Sequence, residues 1–543
     1  MNAIGRKTVL VTAASLIVCL TGGCGEQGRV GRGAGDLAPT EDLGPTIGSL
    51  ARVILPEPIR LEGYGLVGGL KGTGSAECPP QIRAYLARYI QRQLPSRRML
   101  DAERFINSSD TAAVLVEGII PAIASRNQYL DVRVTALPGT QTVSLEGGRL
   151  FNTELKATGS FHIATRALAD AEGPIFIDKI GTSKIDQRVG HILAGGRVFD
   201  EYKIGLALPK PDFRITSSIR NRLNGRFGSG TAKAVLPGQI ELTVPAKYGE
   251  QKQRFVSIVN AMYLAAEPEI TKERITTFVR KLAGSEDKYA SEVALEAIGN
   301  ESLGKLRILL DSSDERVRLH AARCMLNLGS DAGLVTLRQI AMDTGSAYRI
   351  EALESITLAA RRSDAASVSQ RLLRDDDFNV RLAAYEQLRR LDDVAVAREH
   401  IARSFYLERI TQTEHKVIFV SRSGQPRIVL FGAPIYCHGS IFVGTADGDI
   451  TINAPAGQKN VTIIRKHPKR PGVIARLECS FEVGDIIRTL CEEPAKEGER
   501  GRGGLGVSYA DAIVLLKQMC DKGAVRAEFR AGPLPKIGLI IKK

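Results

Sequence analysis

The chain has 543 residues, a formal net charge of +14, 43% hydrophobic and 25% charged residues, 16 Phe, 13 Tyr and no Trp. That length suits about three or four domains, and the ordinary apolar and charged fractions exclude a disordered chain and predict buried cores. Scarce aromatics argue against a base-stacking surface, and the positive charge, spread along the chain rather than gathered in one run, points to acidic partners in general.

Arg6 and Lys7 precede a short apolar run, Val9 to Leu20, and Thr21-Gly22-Gly23 then supply small residues before Cys24. This reads as a secretory signal over residues 1–23, too short for a stable membrane span. Cys24 resembles the acceptor of a lipoprotein processing box, an imperfect one because Thr21 stands where Leu is preferred. Acylation there would anchor the protein to a membrane lipid layer. Residues 24–48, rich in Gly, Pro and charge, read as a flexible tether. Export excludes nucleic acid as a partner and favours anionic envelope polymers, lipid headgroups or an acidic protein.

From 49 to 266 the pattern is mixed. Gly63 to Gly74 is dense in glycine. A phosphate-binding loop would need Gly-Lys-[Ser/Thr] opening a helix; here Lys71 precedes Gly72, so the glycines are read as permitting tight turns and close backbone approach. Leu130, Val132 and Val134 alternate with polar residues as in a strand, and Gly238 to Val244 does the same. Ser217 to Phe227 reads as a helix capped by Ser217 and ended near Gly228.

From 267 to 408 the period becomes helical. Val317, Ala321, Met325 and Leu328 form one inner stripe; Tyr348, Ala352, Ile356 and Ala359 a second; Val380, Ala384, Leu388 and Leu391 a third. Each has the i, i+4, i+8, i+11 spacing of an apolar helix face. Arg318, Arg349 and Arg381 recur just after each first position, and Tyr289, Val293 and Ala297 look like a partial earlier copy. Helix pairs at this period resemble a short HEAT-like repeat, which stacks because one pair cannot bury its apolar face alone. Asp375-Asp376-Asp377 precede the third stripe, where acidic residues favour a helix N-terminus.

Strands return from 409 to 543. Lys416 to Val420, Arg427 to Leu430 and Val461 to Ile464 are β-branched and apolar. The basic cluster of Arg465, Lys466, Lys469 and Arg470 holds Pro468 and is read as a loop; residues 498–504 are read as a second, exposed loop. Ser508 to Asp521 reads as an amphipathic helix ended by Gly523, and Ala524 to Phe529 as a strand.

No chemistry-bearing constellation emerges. The seven His residues show no metal-ligand spacing, no GxSxG elbow is present, and neither a cofactor nor a metal is expected; the chain reads as a non-enzyme. His438-Gly439 reads as a turn. None of Cys78, Cys324, Cys437, Cys479, Cys491 and Cys520 forms CxxC. In an oxidising compartment Cys437 with Cys479, or Cys491 with Cys520, are the pairs to test, while Cys324 reads as a free core thiol.

Gly63, Tyr64, Gly65, Leu66, Gly69, Leu70, Gly72, Thr73 and Gly74 together are similar to the N-terminal signature of the flagellar P-ring protein family. That family has Val where Gly68 stands and usually Asp where Ser75 stands. The family order continues through Ala112 to Val116, Pro121, Leu130-Asp131-Val132, Ser144 to Gly148, Pro211-Asp212-Phe213, Leu223-Asn224, Phe227-Gly228 and Val244-Pro245. It resumes beyond the helical block at Ser421 to Gly424, His438-Gly439, Leu505-Gly506, Asp511 and Gly523-Ala524-Val525, with Tyr509 where Pro is usual.

With the helical stripes, the resemblance implies a multidomain chain, α+β P-ring-type domains interrupted by an all-α HEAT-like repeat block. It also implies a structural subunit of the periplasmic ring of the flagellar basal body. Such a ring is a homo-oligomer acting as a passive bushing around the rod, beside the L-ring of the outer membrane and at the level of the peptidoglycan, in support of motility. Its subunits would meet through head-to-tail contacts that close on rotation. The alternative is an envelope-anchored scaffold lipoprotein of the same fold that binds peptidoglycan or protein partners outside the flagellum. Typical members have neither the lipid nor the repeat block, so the block is expected to project from the ring toward another envelope component.

Overall fold

The computed structural model describes residues 43–93, 102–159, 166–181, 185–265, 267–467, 470–494 and 503–537. The signal, Cys24, most of the expected tether, and residues 468, 469 and 495–502 lie outside them. The end of the expected tether is already built into the fold. Thr46 caps the helix Ile47–Leu50, and Ile47 is fully buried with its N–H 2.8 Å from the Met262 carbonyl.

The glycine-rich segment begins as a strand. Ile59–Gly68 pairs along its whole length with Thr111–Ile120 and on its other side with Arg149–Ala157. The series continues from Thr111–Ile120 through Tyr129–Ala136, Val189–Val198 and Ala169–Pro174 back to Arg149–Ala157, closing a barrel. Closure leaves no free edge. Val114, Val116, Val132, Val134, Leu155 and Val198 fill the interior, with Leu130 packed against them. Close approach is what the glycines permit here: a Cβ on Gly63 would lie 2.3 Å from the Glu154 carbonyl oxygen.

The chain then turns tightly. Gly72 has φ +88°, and the Thr73 hydroxyl lies 2.9 Å from both the Leu70 and the Ser144 carbonyl. Gly74 donates its N–H to the Ser109 carbonyl at 2.9 Å, and a Cβ on it would lie 2.1 Å from the Thr111 oxygen.

A four-stranded antiparallel sheet, Arg52–Ile54, Ile204–Ala207, Gln239–Leu242 and Ala232–Leu236, takes one strand from before the barrel in sequence and three from after it. Ile219 and Leu223 of the helix Phe213–Phe227, with Phe255 and Ile258 of Lys252–Ala261, share its core. The first of these helices starts at Phe213, not at Ser217. The Asp212 carboxylate accepts the Arg214 and Ile215 N–H groups at 2.7 and 3.1 Å, a stronger cap than a serine further along.

Helices run from Pro268–Gly284 to Phe378–Arg390. Val317, Ala321, Met325, Ala352, Ile356, Val380, Ala384 and Leu388 are buried as expected, with Leu328, Tyr348, Ala359 and Leu391 half-buried. Tyr289 is exposed and leaves the pattern. Two of the three recurring arginines share one task. Arg318 donates to the Ser312 and Ser313 carbonyls at 2.7 and 3.1 Å, and Arg381 to those of Asp375 and Asp376 at 2.6 and 2.9 Å. Asp314 and Asp377 cap the same two helices. Arg349 instead reaches the Ala341 carbonyl and the Asp375 carboxylate. The helices stop at Arg390; the strand Ala397–Ile401 begins inside the span expected to be helical.

The remainder holds a five-stranded mixed sheet, Ala397–Ile401, Phe405–Ile410, Arg427–Phe431, Val417–Val420 and Glu528–Ala531, and an antiparallel meander from Ile441–Gly444 to Arg470–Cys479. Ser508 caps the helix Tyr509–Asp521, and Gly523 at φ +71° follows its end. Two expectations shift. Val461–His467 carries Arg465 and Lys466 inside a strand, not a loop, because the meander continues its pairing beyond Ile464. The last strand starts at Glu528, since Val525 is bridged to Cys437 instead. The six described cysteines are free, so neither expected disulfide is present.

Gly74→Ala is expected to destabilise the fold by about 2–4 kcal/mol, because the added carbon meets backbone that has no room to give. Gly225→Ala, in open space on the helix Phe213–Phe227, is expected to stabilise by about 0.5–1 kcal/mol. Urea unfolding of the two variants beside the parent protein checks both signs.

Candidate functional site

Motifs far apart in sequence meet on the outside of the barrel. Asp131 lies between two inward-leaning residues, Leu130 and Val132, and strand alternation turns its carboxylate outward. It accepts the Ala194 N–H at 2.7 Å and the Gly424 N–H at 2.9–3.0 Å. Gly424 has φ +63°, the left-handed turn that presents this N–H. Arg422, two residues earlier, pairs with Asp178 at 3.0 Å and donates to the Gly532 carbonyl at 2.7 Å.

Beside it Lys179 bridges Glu146 and Asp511, the latter at 3.0 Å. Burial alone would lower the Lys179 ammonium, but the two carboxylates raise it above its ordinary value. Lys71 faces the same cluster and is lowered, first by burial and then by Arg465, against the pull of Asp449, Asp511 and Glu146. Tyr509 packs between Phe176 and Phe405, with ring centroids 5.9 and 5.2 Å away, and its hydroxyl donates to the Ser421 carbonyl at 2.6 Å.

The other signature residues are scaffold. Gly63, Tyr64, Gly65 and Leu66 form barrel wall, and Gly69 to Gly74 form its turn. His438 donates its backbone N–H to the Ala524 carbonyl at 2.8 Å, so His438-Gly439 meets Gly523-Ala524. Leu505 and Gly506 donate to the Thr489 and Glu492 carbonyls at 2.9 and 2.8 Å. Sequence reasoning missed Phe176, Asp178 and Lys179. The signal available was a charged pair directly after the apolar run Ile175-Phe176-Ile177.

A second joint ties the helices to the preceding region through buried charge. Glu292 is fully buried on the helix Lys288–Ile298. Its oxygens lie 2.5 Å from Arg254 Nη2, 2.6 Å from Arg323 Nη2 and 2.6 Å from His320 Nδ1. Glu296, one turn on, takes Arg254 Nε at 2.9 Å and the Tyr248 hydroxyl at 3.1 Å. Burial would raise both carboxyls. Arg254 and Arg323, with the hydrogen bonds from Arg323 and His320, hold Glu292 well below the ordinary carboxylate range. Glu296 stays raised, because Arg254 only partly offsets its burial.

A third joint closes the far end of the helices. Phe378 and Tyr385 each lie 5.6 Å from the Phe431 ring, and Tyr385 and Arg389 bond Glu408, which is fully buried in the sheet. Among the described residues no group of three His, Cys, Asp or Glu is placed to hold a metal ion, and no helix is long and apolar enough to cross a membrane.

Glu292→Gln is expected to cost about 3–5 kcal/mol at neutral pH, since it removes the buried charge that Arg254, Arg323 and His320 share and leaves Arg254 only Glu296 and Arg323 only the half-exposed Glu351; Glu296→Gln is expected to cost less than half as much. The linkage signs differ. The depressed Glu292 carboxyl contributes stability above the ordinary carboxylate range and loses it only as pH falls through its low folded value. The raised Glu296 carboxyl favours folding at low pH, a contribution lost as pH rises. Urea unfolding at pH 7 and pH 4 resolves the two. At the first joint, Arg422→Met leaves Asp178 unpaired, and a double-mutant cycle with Asp178→Asn is expected to give a coupling of about 1–2 kcal/mol.

Residues 47–276 match the family model described as flagellar P-ring protein. The flagellar P-ring protein of Helicobacter pylori (strain G27) is 26% identical over 244 residues, which are 44% of this chain and 68% of that protein. Those of Hydrogenovibrio crunogenus and Albidiferax ferrireducens are each 28% identical, over 228 and 231 residues, covering 39% and 40% of this chain and 58% of each relative.

Proposed function

We propose that this chain, whose residues 47–276 match the flagellar P-ring family model, is a structural subunit of a flagellar basal-body P-ring and performs no catalysis. The match over the barrel and its neighbouring sheet is the observation that carries the reading. The surface joint supports it: Asp131, Glu146, Gly424 and Asp511, from motifs on both sides of the helices, come together as parts of one scaffold.

In this reading the protein acts in the periplasm, assembles with copies of itself around the rod beside the L-ring, and serves as a passive bushing. Lipid on Cys24, contact with peptidoglycan and a leader over residues 1–23 belong to the same proposal. So does a HEAT-like origin of the helices, supported by the shared capping of the Arg318 and Arg381 helices. The lipoprotein scaffold acting outside the flagellum has no observation in its favour.

Disruption of the gene is expected to abolish swimming and to leave isolated basal bodies without the ring at the periplasmic level; the intact gene in trans restores both. Electron microscopy of basal bodies from the two strains is the check. Ring-bearing basal bodies in the disrupted strain would overturn the proposal.

A further inference from the structure

Between the helix Phe213–Phe227, the turn Pro245 to Tyr248 and the helix Glu315–Asn327 lies a cavity of ≈ 300 Å³, lined among others by Arg226, Lys247, Asn300 and Asn327. It sits beside the buried joint on Glu292 and Glu296, but uses different side chains. Lys247 gives its ammonium to the Asn327 backbone carbonyl, and no carboxylate among the described residues lies within ion-pair distance of it. Its pKa is lowered by burial, with Arg226 and Arg254 adding to the fall and Glu296 opposing it.

Among the described residues Arg226 is committed only to a carbonyl, that of Glu296 at 3.1 Å, and its buried Nε finds no partner. The side-chain oxygen of Asn327 is likewise buried and unpartnered, while its amide nitrogen donates to the Arg323 carbonyl at 3.1 Å. The nearby carboxylates are already engaged: Glu296 by Arg254 and Tyr248, and Glu292 by Arg254, Arg323 and His320. Two cations therefore face a recess with no counter-ion of their own among the described residues, where an uncompensated charge is costly.

We propose that the cavity between Arg226, Lys247, Asn300 and Asn327 is a binding site for a single oxyanion, a phosphate or carboxylate group. Such a group pairs with Lys247 and Arg226 by charge-assisted hydrogen bonds. Bound there, it bridges the region that carries the P-ring match to the helices beyond it. The inference does not depend on ring assembly and stands or falls separately from it.

The test is the melting temperature of the purified full-length protein at pH 7 and constant ionic strength. Sodium chloride is replaced stepwise by sodium phosphate in one arm and by sodium acetate in the other. A saturable rise is expected in at least one arm. A rise with phosphate alone assigns the site to phosphate groups; a rise with acetate assigns it to carboxylates, such as an acidic side chain of a partner.

Lys247→Met is expected to weaken the apparent affinity at least about tenfold, the loss of one charge-assisted bond. Lys203→Met, on an exposed pair with Glu241, is expected to leave it unchanged. No saturable rise in either arm for the parent protein overturns the proposal, whatever the variants do. An unchanged affinity in Lys247→Met overturns it as well. Should Lys247→Met fail to fold, Lys247→Gln takes its place, and the parent titration already decides.

Discussion

Glu292 carries a negative charge in a place with no solvent, and the arrangement of the middle of the molecule follows from neutralising it there. Taking a carboxylate out of water costs several kcal/mol, recovered only if cations and donors stand in fixed positions around it. Arg254 comes from the helix Lys252–Ala261, inside the span that matches the P-ring family, while His320 and Arg323 come from the helix Glu315–Asn327. Apolar contacts alone would let these helices slide by a fraction of a turn at small cost. A charge held by bonds of 2.5–2.6 Å from three side chains does not.

The far end of the helices is fixed by a different force. Phe378, Tyr385 and Leu388 share a core with Val417, Phe419, Val429 and Phe431 of the five-stranded sheet. Each such side chain, fully buried, is worth about 1.5–3 kcal/mol. The helices are thus built into the structure at both ends and cover one face of a sheet that would otherwise be exposed. Residues 271–404 therefore cannot be cut out without cost to what remains. Such a cut would remove the strand Ala397–Ile401 and bare that sheet face. Beyond the helices the chain returns to the barrel, and the return is registered by polar contacts: Asp131 on the Gly424 N–H, Arg422 on Asp178, Lys179 between Glu146 and Asp511.

Local signals in the sequence carried a good deal of this. The stripe of Val317, Ala321 and Met325 and its two successors named the buried helix faces, because burial at 3.6-residue period writes itself into composition. The alternation around Val132 named a strand for the equivalent reason. Closure of the barrel was not legible, since it depends on which strands pair, and Ala169–Pro174, with no bulky apolar residue in six, has no strand pattern of its own. The start of the helix at Phe213 was hidden by a competition between two caps, Asp212 and Ser217, that only tertiary contacts with Pro237 decide. The joints were the least legible part. Asp131, Glu146 and Asp511 were visible as members of motifs, but nothing local says that they converge. The recurring arginines form a visible pattern, whereas the work of Arg318 and Arg381, holding the carbonyls of the preceding loop, depends on the folded chain.

In the proposed role, a ring passive around a turning rod would ask its subunits for stiffness more than for chemistry, and the three joints would answer that demand by different physics. Buried ion pairs and hydrogen bonds resist sliding because their strength falls steeply with misalignment. The aromatic contact on the sheet resists separation, because parting it exposes apolar area, but it tolerates small rotations. Buried charge dominates the joint at Glu292; apolar rings dominate the one at Phe431, where Tyr385 and Arg389 on the buried Glu408 add directional bonds. The cationic recess at Lys247 lies beside the first of these. An anion seated there would add to the joint that already resists motion, so its energetic effect would fall on the base of the helices and leave the Phe431 contact as it is.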